Sequence, residues 1–214
     1  MARASSCRAA PVKRLLLVRH GESEANVIHS LDCAVPGPAL SPLGQEQALA
    51  LAELLTGEDI RLIYASTMLR AQQTVTPLAE RLGLPITIRD GIREFNVGDL
   101  HPRNDRAAHI MLDELMTSWL LNGDRNAFRP GGESSAEVTA RFRSVLVDVL
   151  ASYVDGTAVV ATHGGALRLV GPVLLAEVTT EFTYKNHVPN TGIVDIAVTD
   201  AGLVCRSWAG IPLG

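Results

Sequence analysis

The sequence predicts an α/β fold, a three-layer α/β/α sandwich with a mostly parallel central sheet. Three short, fully apolar runs are typical of strands that are buried on both faces: Leu15–Val18, Leu62–Tyr64 and Ala158–Ala161. Between these runs, apolar residues recur every three or four positions, which is the spacing of one face of a helix. Strands that alternate with helices in this way favour a layered fold around a parallel sheet.

The elements that connect these strands carry recognisable helix signals. Ser41 followed by proline predicts an N-cap at Ser41 and a helix that begins at Pro42 and runs through Leu55. The apolar spacing of Met68–Leu82 predicts a second helix, which we expect Pro77 to bend or break. A capping box at Ser134 predicts the start of a third helix. Two alternating segments joined by a turn predict a terminal pair of strands, Ile193–Val198 and Leu203–Trp208.

Length and composition indicate one ordinary globular domain. The chain has 214 residues, of which 47% are hydrophobic and 20% are charged. We expect residues 1–11 to be a disordered tail and residues 12–214 to form the domain. The net charge of −4 provides no basic excess, so the sequence predicts no nucleic-acid partner and no attraction to an anionic membrane. No apolar run approaches the roughly 20 residues that a membrane-spanning helix needs.

The cysteines indicate a reducing compartment. The three thiols, Cys7, Cys33 and Cys205, are odd in number and form no C-x-x-C pair. This pattern predicts neither a disulfide framework nor a zinc ribbon, and free thiols fit the cytoplasm.

Chemically distinctive residues follow each of the three predicted strands. In chain order they are Arg19-His20-Gly21, then Ser66 with Arg70, then His163-Gly164-Gly165. Ligands of open α/β sheets bind beyond the carboxyl ends of the strands, so these residues meet at one edge if the strands are neighbours. Arginine matches phosphate geometry, and glycine lets backbone N–H groups approach an anion. The sequence therefore predicts a site for a phosphoryl group with a histidine inside it.

Five segments in this order resemble the motifs of the histidine phosphatase superfamily, also called the phosphoglycerate mutase-like family. The segments are Leu17–Ser23 with Asn26, Ser66–Thr74, Ile92–Gly98, Pro130–Ser134 and Thr162–Gly165. They correspond to the family's R-H-G opening, its S-x-x-x-R-A-x-Q-T block, its acidic block, its P-G-G-E-S block and its second histidine. The resemblance runs from about residue 14 to residue 208, and it implies the phosphoglycerate mutase-like fold.

The resemblance also implies a role for each matched residue. His20 would be the nucleophile and become a phosphohistidine. Arg19, Arg70 and His163 would hold the phosphoryl oxygens, and we expect His163 to be protonated so that it helps to keep His20 neutral. Asn26 matches a position that contacts the phosphate. Gly21 and Gly164 would contribute backbone contacts to it.

Glu94 matches the general acid of the family. It would protonate the leaving alcohol and then take a proton from the attacking water. Asp99 and Glu133 are the alternatives, because they are the other carboxylates in or beside the matched blocks. The sequence predicts no cofactor and no metal, since arginine and histidine can neutralise the phosphate and no H-E-x-x-H pattern occurs.

The acidic block departs from the usual phosphatase pattern at the start of a predicted cap. An E-G pair typical of phosphatases is replaced by His101-Pro102, and an insertion over about 101–130 follows. Its apolar residues predict a packed cap helix rather than an apolar wall for the substrate. Its basic residues either meet a second anionic group or form a solvated face: His101, Arg103, Arg106, Arg125 and Arg129. Three other histidines match no motif, and we expect them to be structural or on the surface: His29, His109 and His187.

The leading functional prediction is a metal-independent phosphatase that acts on a small phosphorylated substrate. The alternative is a cofactor-dependent phosphoglycerate mutase. The acidic block of a mutase continues E-R-H-Y-G, whereas Glu94–Gly98 lacks the Arg-His-Tyr, which favours hydrolysis. A catalytically inactive binding module on the same fold is a third hypothesis. The natural substrate is not readable from the sequence, and a homodimer is left open.

Overall fold

A single seven-stranded sheet forms the centre of the protein. The computed structural model describes residues 13–213, so the predicted tail lies outside the described residues. The strands are β1 (Lys13–Arg19), β2 (Ile60–Ala65), β3 (Ile86–Ile88), β4 (Gly156–Thr162), β5 (Ile193–Thr199), β6 (Gly202–Trp208) and β7 (Ile211–Pro212). Their order in the sheet is β3-β2-β4-β1-β5-β6-β7.

Helices cover both faces of this sheet. They are α1 (Glu24–Val27), α2 (Pro42–Leu55), α3 (Leu69–Leu82), α4 (Arg106–Leu120), α5 (Ser135–Ala151), α6 (Gly164–Leu174) and α7 (Thr180–Lys185), with short 3₁₀ helices at Asp90–Ile92 and Gly98–Leu100. One core cluster joins α2 and α3 to one face of the sheet, and another joins α5 and α6 to the opposite face. The predicted α/β/α sandwich is therefore confirmed.

The parallel half of the sheet places the three predicted strand ends side by side. β4 lies between β1 and β2 and is parallel to both. In this register Arg19 pairs with Thr162, and Ala65 pairs with Ala161. The residues that follow β1, β2 and β4 consequently emerge at one edge, as predicted.

The other half of the sheet is antiparallel. β5 runs antiparallel to β1, and β6 and β7 continue the alternation. The segment that precedes β5 therefore reaches the edge at which β1 ends. Backbone bonds fix this arrangement, because Arg19 N donates to Gly192 O at 3.0 Å and Thr191 N donates to Arg19 O at 3.1 Å.

The helix signals are confirmed, but the break considered at Pro77 does not occur. Ser41 Oγ accepts the Gly44 N–H, and Ser134 forms a reciprocal capping box with Glu137. Pro77, in contrast, does not break α3, which continues to Leu82. Its apolar face is buried against the sheet on both sides of the proline, and this packing outweighs one missing backbone hydrogen bond.

The segment 101–130 carries α4 and a third apolar cluster. Leu115, Met116 and Trp119 of α4 pack with Phe95 and other residues beside the sheet. The predicted packing of the cap helix is thus observed. The single sheet draws strands from both ends of the chain, which supports one domain over 12–214, and we keep these boundaries as a proposal. Within residues 13–213, no helix combines the length and the apolar character needed to cross a bilayer.

Candidate active site

A cavity of about 360 Å³ opens at the carboxyl ends of β1, β2 and β4. Arg19, His20 and Arg70 line it, and His163 packs beside His20 with the ring centroids 5.1 Å apart. We call these four residues the floor. The structure therefore brings together the two histidines and two arginines that the sequence placed at three separate strand ends.

The hydrogen bonds of His20 identify its free ring nitrogen. Nδ1 lies 2.6 Å from the carbonyl oxygen of Gly21, which can only accept, so Nδ1 carries the proton. Nε2 then holds the lone pair, and it accepts an N–H from Arg70 Nε at 3.2 Å. His20 as a whole residue is 4% exposed. The reactive nitrogen of a neutral imidazole thus faces a guanidinium inside a buried site.

Burial keeps His20 neutral. The loss of hydration, together with the nearby Arg70 and Arg19 guanidinium groups, holds the pKa of His20 well below its usual value near 6.5. The bond from Nδ1 to Gly21 O acts in the opposite direction but is the weaker influence.

His163 differs from the expectation that it would be protonated. The ring is fully buried, and burial, followed by the charge of Arg70, holds the pKa of His163 well below its usual value. Its Nε2 lies 2.7 Å from Ser66 Oγ, and that oxygen also accepts the Met68 N–H at 3.2 Å. With a neutral ring, the Ser66 hydroxyl donates to Nε2 and leaves the proton of His163 on Nδ1.

Three buried nitrogens of the floor have no hydrogen-bond partner among residues 13–213. They are Arg19 Nε, Arg70 Nη1 and His163 Nδ1. Buried polar groups are nearly always paired, so three unpartnered donors in one place indicate a site for an anion. They come from three different elements, β1, α3 and the end of β4.

Neighbouring backbone holds both arginines in place. Arg19 Nη1 donates to Val188 O at 2.7 Å, and Arg70 Nη2 donates to Asp32 O at 3.4 Å. Arg70 lies in the first turn of α3, where a positive charge opposes the helix dipole. A buried arginine in that position is better explained by an anionic ligand than by helix stability.

Glu94 lies at the amino end of α6. One carboxylate oxygen accepts the Gly165 N–H at 2.9 Å, and the other accepts the N–H groups of Ala166 and Phe95 at 2.7 and 3.1 Å. Glycine is required at 165, because a Cβ there would lie 2.8 Å from the carboxylate and 2.4 Å from the Phe95 ring. The helix terminus thus fixes this side chain beside the floor.

The two glycines expected to bind phosphate take different positions. Gly164 lines the cavity. The Gly21 N–H instead donates to Thr74 Oγ1 at 2.9 Å, so it is not offered to an anion. Gly21 is needed for close packing, because a Cβ would lie 2.8 Å from Gly44 O. Asn26 also lines the cavity, and its Oδ1 accepts the Ser23 N–H in a capping box.

The alternative carboxylates are engaged away from the cavity. Glu133 accepts hydrogen bonds from Arg93, Arg141 and the Asn96 N–H. Asp99 forms a bidentate pair with Arg129 on the outside of the cap. Neither lines the cavity, whereas Glu94 does, close to the charges of Arg19 and Arg70.

Comparisons with known proteins agree with this geometry. A family model described as the histidine phosphatase superfamily (branch 1) matches residues 15–210. The chain belongs to the histidine phosphatase superfamily. The sequence-based prediction of the family is therefore confirmed.

Individual members of the family include both phosphatases and mutases. A glucosyl-3-phosphoglycerate phosphatase of Mycobacterium tuberculosis is 31% identical over 76% of this chain and 75% of its own length. A 2,3-bisphosphoglycerate-dependent phosphoglycerate mutase of Chelativorans sp. is 35% identical over 75% and 80%. The solved structure of a mycobacterial hydrolase has a TM-score of 0.81 at 25% identity and covers 94% of this chain and 99% of that one.

Beyond the floor, this histidine phosphatase has a cavity wall that the motifs do not cover. We call His109, Asp113, Arg168 and His187 the wall, since all four line the cavity. His109 and His187, which we expected to be structural or on the surface, are therefore also accessible to a ligand of the cavity. Leu112 and Met116 of α4 also line the cavity, so the cap helix provides both core packing and an apolar surface.

The basic residues of the cap do not reach this cavity. Arg103 pairs with Asp105, Arg129 pairs with Asp99, and Arg125 donates to Thr139. His101 Nδ1 accepts the Cys33 N–H at 3.2 Å. None of these residues, nor Arg106, lines the cavity, so the surface interpretation is favoured over a second anion site there.

Asn190 is a site residue that the sequence reasoning missed. Its Nδ2 donates to His20 O at 3.0 Å and lies 3.4 Å from Asn26 Oδ1. Asn190 precedes the antiparallel strand β5, whereas the residues predicted to form the site were those that follow the parallel strands. The sequence predicts the strand that follows Asn190 but not the direction of that strand, which is what brings Asn190 to the site.

Proposed function

We propose that this histidine phosphatase hydrolyses small phosphomonoesters through a phosphohistidine on His20. The observation that carries the proposal is the set of three unpartnered buried donors around a histidine whose Nε2 holds a lone pair. An oxyanion with three acceptor oxygens satisfies such a set, and phosphorus is the electrophile that Nε2 would attack.

In the first step, Nε2 of His20 forms a bond to phosphorus while the bond from phosphorus to the ester oxygen breaks. Nδ1 keeps its proton and its bond to Gly21 O, which stabilises the positive charge that develops on the ring. Arg70 Nε leaves Nε2 and donates to a phosphoryl oxygen instead. The low pKa of His20 supports this role, because an imidazolium has no lone pair to attack with.

The floor stabilises the charge of the transferring group. Arg19 and Arg70 are permanently charged, and His163 donates from Nδ1 in its neutral form. The Ser66 hydroxyl is the positioning group that fixes this tautomer. Asn26 and Gly164 complete the predicted phosphate contacts at the cavity surface.

Glu94 acts as the general acid in the first step and as the general base in the second. In its acid form it donates a proton to the departing alkoxide. In the second step its carboxylate takes a proton from water, the water oxygen bonds to phosphorus, and the bond from Nε2 to phosphorus breaks. Its location at the amino end of α6, beside Gly164, supports this assignment.

A mutase is the second candidate, because a mutase is among the relatives. It would use the same floor but return the phosphoryl group to a bound acid instead of water. The absence of Arg-His-Tyr after Glu94 favours hydrolysis. Incubation with 3-phosphoglycerate and 2,3-bisphosphoglycerate distinguishes the two, since a phosphatase releases inorganic phosphate and a mutase forms 2-phosphoglycerate.

The first test is hydrolysis of p-nitrophenyl phosphate by the purified protein. We expect turnover that persists after exhaustive EDTA treatment and is inhibited by vanadate, which mimics five-coordinate phosphorus. Loss of activity on chelation, with recovery on adding magnesium or zinc, would contradict the metal-independent mechanism. No turnover of any phosphomonoester would favour the inactive binding module.

The location of the protein and its partners are also proposals. We propose a cytoplasmic location, since Cys33 and Cys205 are free thiols. The expected partner is the small phosphorylated substrate, without nucleic acid or membrane. The mass of the protein in solution decides between a monomer and a homodimer.

A further inference from the structure

Arg168 is the arginine of the cavity that the phosphate mechanism does not use. Among the described residues, three arginines line the cavity, and the other two belong to the floor. Arg168 Nε donates to Thr183 O at 3.2 Å, Nη2 donates to Tyr184 O at 3.3 Å, and the guanidinium lies over the Tyr184 ring. These contacts hold the group in one orientation and leave Nη1 without a partner among residues 13–213.

No carboxylate within residues 13–213 lies within 4.0 Å of the Arg168 guanidinium. The two acidic groups that face it are held elsewhere: Glu94 by three backbone N–H groups, and Asp113 close to the Tyr184 hydroxyl at 3.4 Å. Partial burial lowers the pKa of Arg168, although an arginine remains charged. A half-buried, oriented cation without a counter-ion is poised to receive an anion.

Arg168 lines the same cavity as the two arginines of the floor. Gly164 and Arg168 both line the cavity, and they are four residues apart on the same helix face. Four residues correspond to about 6 Å along the helix axis. A substrate that fills this cavity with its phosphoryl group on the floor can therefore present a second group to Arg168.

We propose that Arg168 binds a carboxylate of the substrate, so that the preferred substrates are short phosphomonoesters that also carry a carboxylate. The proposal rests on the proposed phosphatase function and adds the substrate class. Arginine is suited to this role because its planar donors match a carboxylate. His187 lies beside Arg168, and its pKa is lowered by burial and by that guanidinium, so Arg168 supplies the positive charge at this end of the cavity.

The test compares pairs of substrates that differ only at the proposed carboxylate. O-phosphoserine is paired with O-phosphoethanolamine, and 3-phosphoglycerate is paired with glycerol 3-phosphate. For each pair, kcat/KM of the carboxylated member is divided by kcat/KM of the other. We expect this specificity ratio to exceed about 10 in the unaltered protein, since a hydrogen bond between charged groups contributes a factor of about 10 to 100.

Substitution of Arg168 tests the residue itself. We expect Arg168→Gln to lower the specificity ratio of both pairs by about 10- to 100-fold, mainly through KM, and Arg168→Lys to restore part of it. A purely structural role would reduce both members of a pair equally and leave the ratio unchanged. The matched control is Arg143→Gln, an exposed arginine of α5 outside the cavity, which should not change the ratio.

A ratio near one in the unaltered protein, or a ratio that Arg168→Gln leaves unchanged, would overturn the carboxylate proposal while phosphatase activity stands. Failure of the proposed function gives a different result, because p-nitrophenyl phosphate and all four natural-type esters would then remain intact. If Arg168→Gln does not fold, the ratios of the unaltered protein and of Arg168→Lys still decide the question.

Discussion

The floor and the wall of the cavity are built in opposite ways. In the floor, His20 and Arg70 are each 4% exposed and His163 is fully buried, and each forms hydrogen bonds with residues distant in sequence. In the wall, His109 and Arg168 are half-buried, whereas Asp113 and His187 are exposed. The floor comes from strand ends and first helical turns, and the wall comes from the cap helix, the body of α6 and the segment before β5.

This difference separates chemistry from selectivity. Burial keeps both floor histidines neutral and leaves three donors unpartnered, which is the environment that phosphoryl transfer requires. The charged groups of the wall are accessible to solvent. A bound substrate can replace the water around them. We therefore expect substitutions in the floor to affect every substrate and substitutions in the wall to affect only some.

The largest contrast is expected between two histidines. His20→Ala should lower kcat by about 10⁴-fold or more on every phosphomonoester, because it removes the nucleophile. His109→Ala, its match in the wall, should lower kcat/KM by less than about 10-fold on p-nitrophenyl phosphate. Steady-state kinetics provide the comparison, and circular dichroism checks that both variants are folded. Comparable losses in the two variants would erase the distinction between floor and wall.

Glu94 is expected to have the next largest effect, and one that depends on the leaving group. Glu94→Gln should slow the cleavage of an alkyl phosphate by about 10²- to 10⁴-fold, because an alkoxide needs a proton to leave. Cleavage of p-nitrophenyl phosphate should slow much less, since the phenolate is stable. The measurement is the single-turnover rate of His20 phosphorylation with each ester. Equal losses would make Glu94 a positioning residue rather than the acid.

The buried neutral histidines predict how stability depends on pH. Above pH 6.5 both the folded and the unfolded states are neutral at these positions, so they make no difference. Below pH 6.5 the unfolded chain binds protons that the folded floor does not, and the free energy of unfolding falls by about 1.4 kcal/mol per pH unit for each histidine. The fall continues until the pH reaches the lowered pKa of the folded state.

Urea unfolding between pH 7 and pH 5 measures this slope. His163→Asn should make the slope shallower than that of the unaltered protein, and His20→Asn should do the same. The comparison between slopes removes the contribution of carboxylates, which titrate in all three proteins. Identical slopes would mean that the floor histidines are protonated in the folded state, as the sequence had suggested for His163.

The smallest effect is expected at the outer surface of the cap. Arg129→Gln removes an ion pair with Asp99 that lies outside the cavity, so kcat/KM should change by less than about 2-fold for every substrate. Kinetics with a carboxylated and an uncarboxylated ester check this. A loss of 10-fold or more on either ester would show that the cap brings its basic residues to the substrate.

The sequence predicted the floor well because each of its residues follows a buried strand within a few positions. His20 and His163 come two positions after short apolar runs that are typical of strands buried on both faces. Burial itself was not readable, and this is why the protonation of His163 was predicted wrongly. The sequence also does not show which acceptor receives a given backbone N–H. Gly21 was therefore expected to bind phosphate, although its N–H donates to Thr74 Oγ1.

Several residues of the wall, and Asn190 beside the floor, were not predictable for topological reasons. His187 and Asn190 reach the site only because β5 is antiparallel to β1, and no local pattern encodes that direction. His109 and Asp113 belong to a cap helix whose apolar pattern fixes its packed face but not what its other face meets. The short strands β3 and β7 were missed because three and two residues are too few to show a period.

The central claim is that Nε2 of His20 becomes covalently bound to phosphate. The direct measurement is a rapid alkaline quench during turnover of a phosphomonoester, followed by peptide mapping and phosphorus NMR of the trapped enzyme. We expect an acid-labile, alkali-stable phosphoryl group on His20, attached at Nε2, because Nδ1 is occupied by its bond to Gly21 O. A phosphoryl group on Nδ1, on another residue, or on no residue at all during a measurable burst would contradict the account.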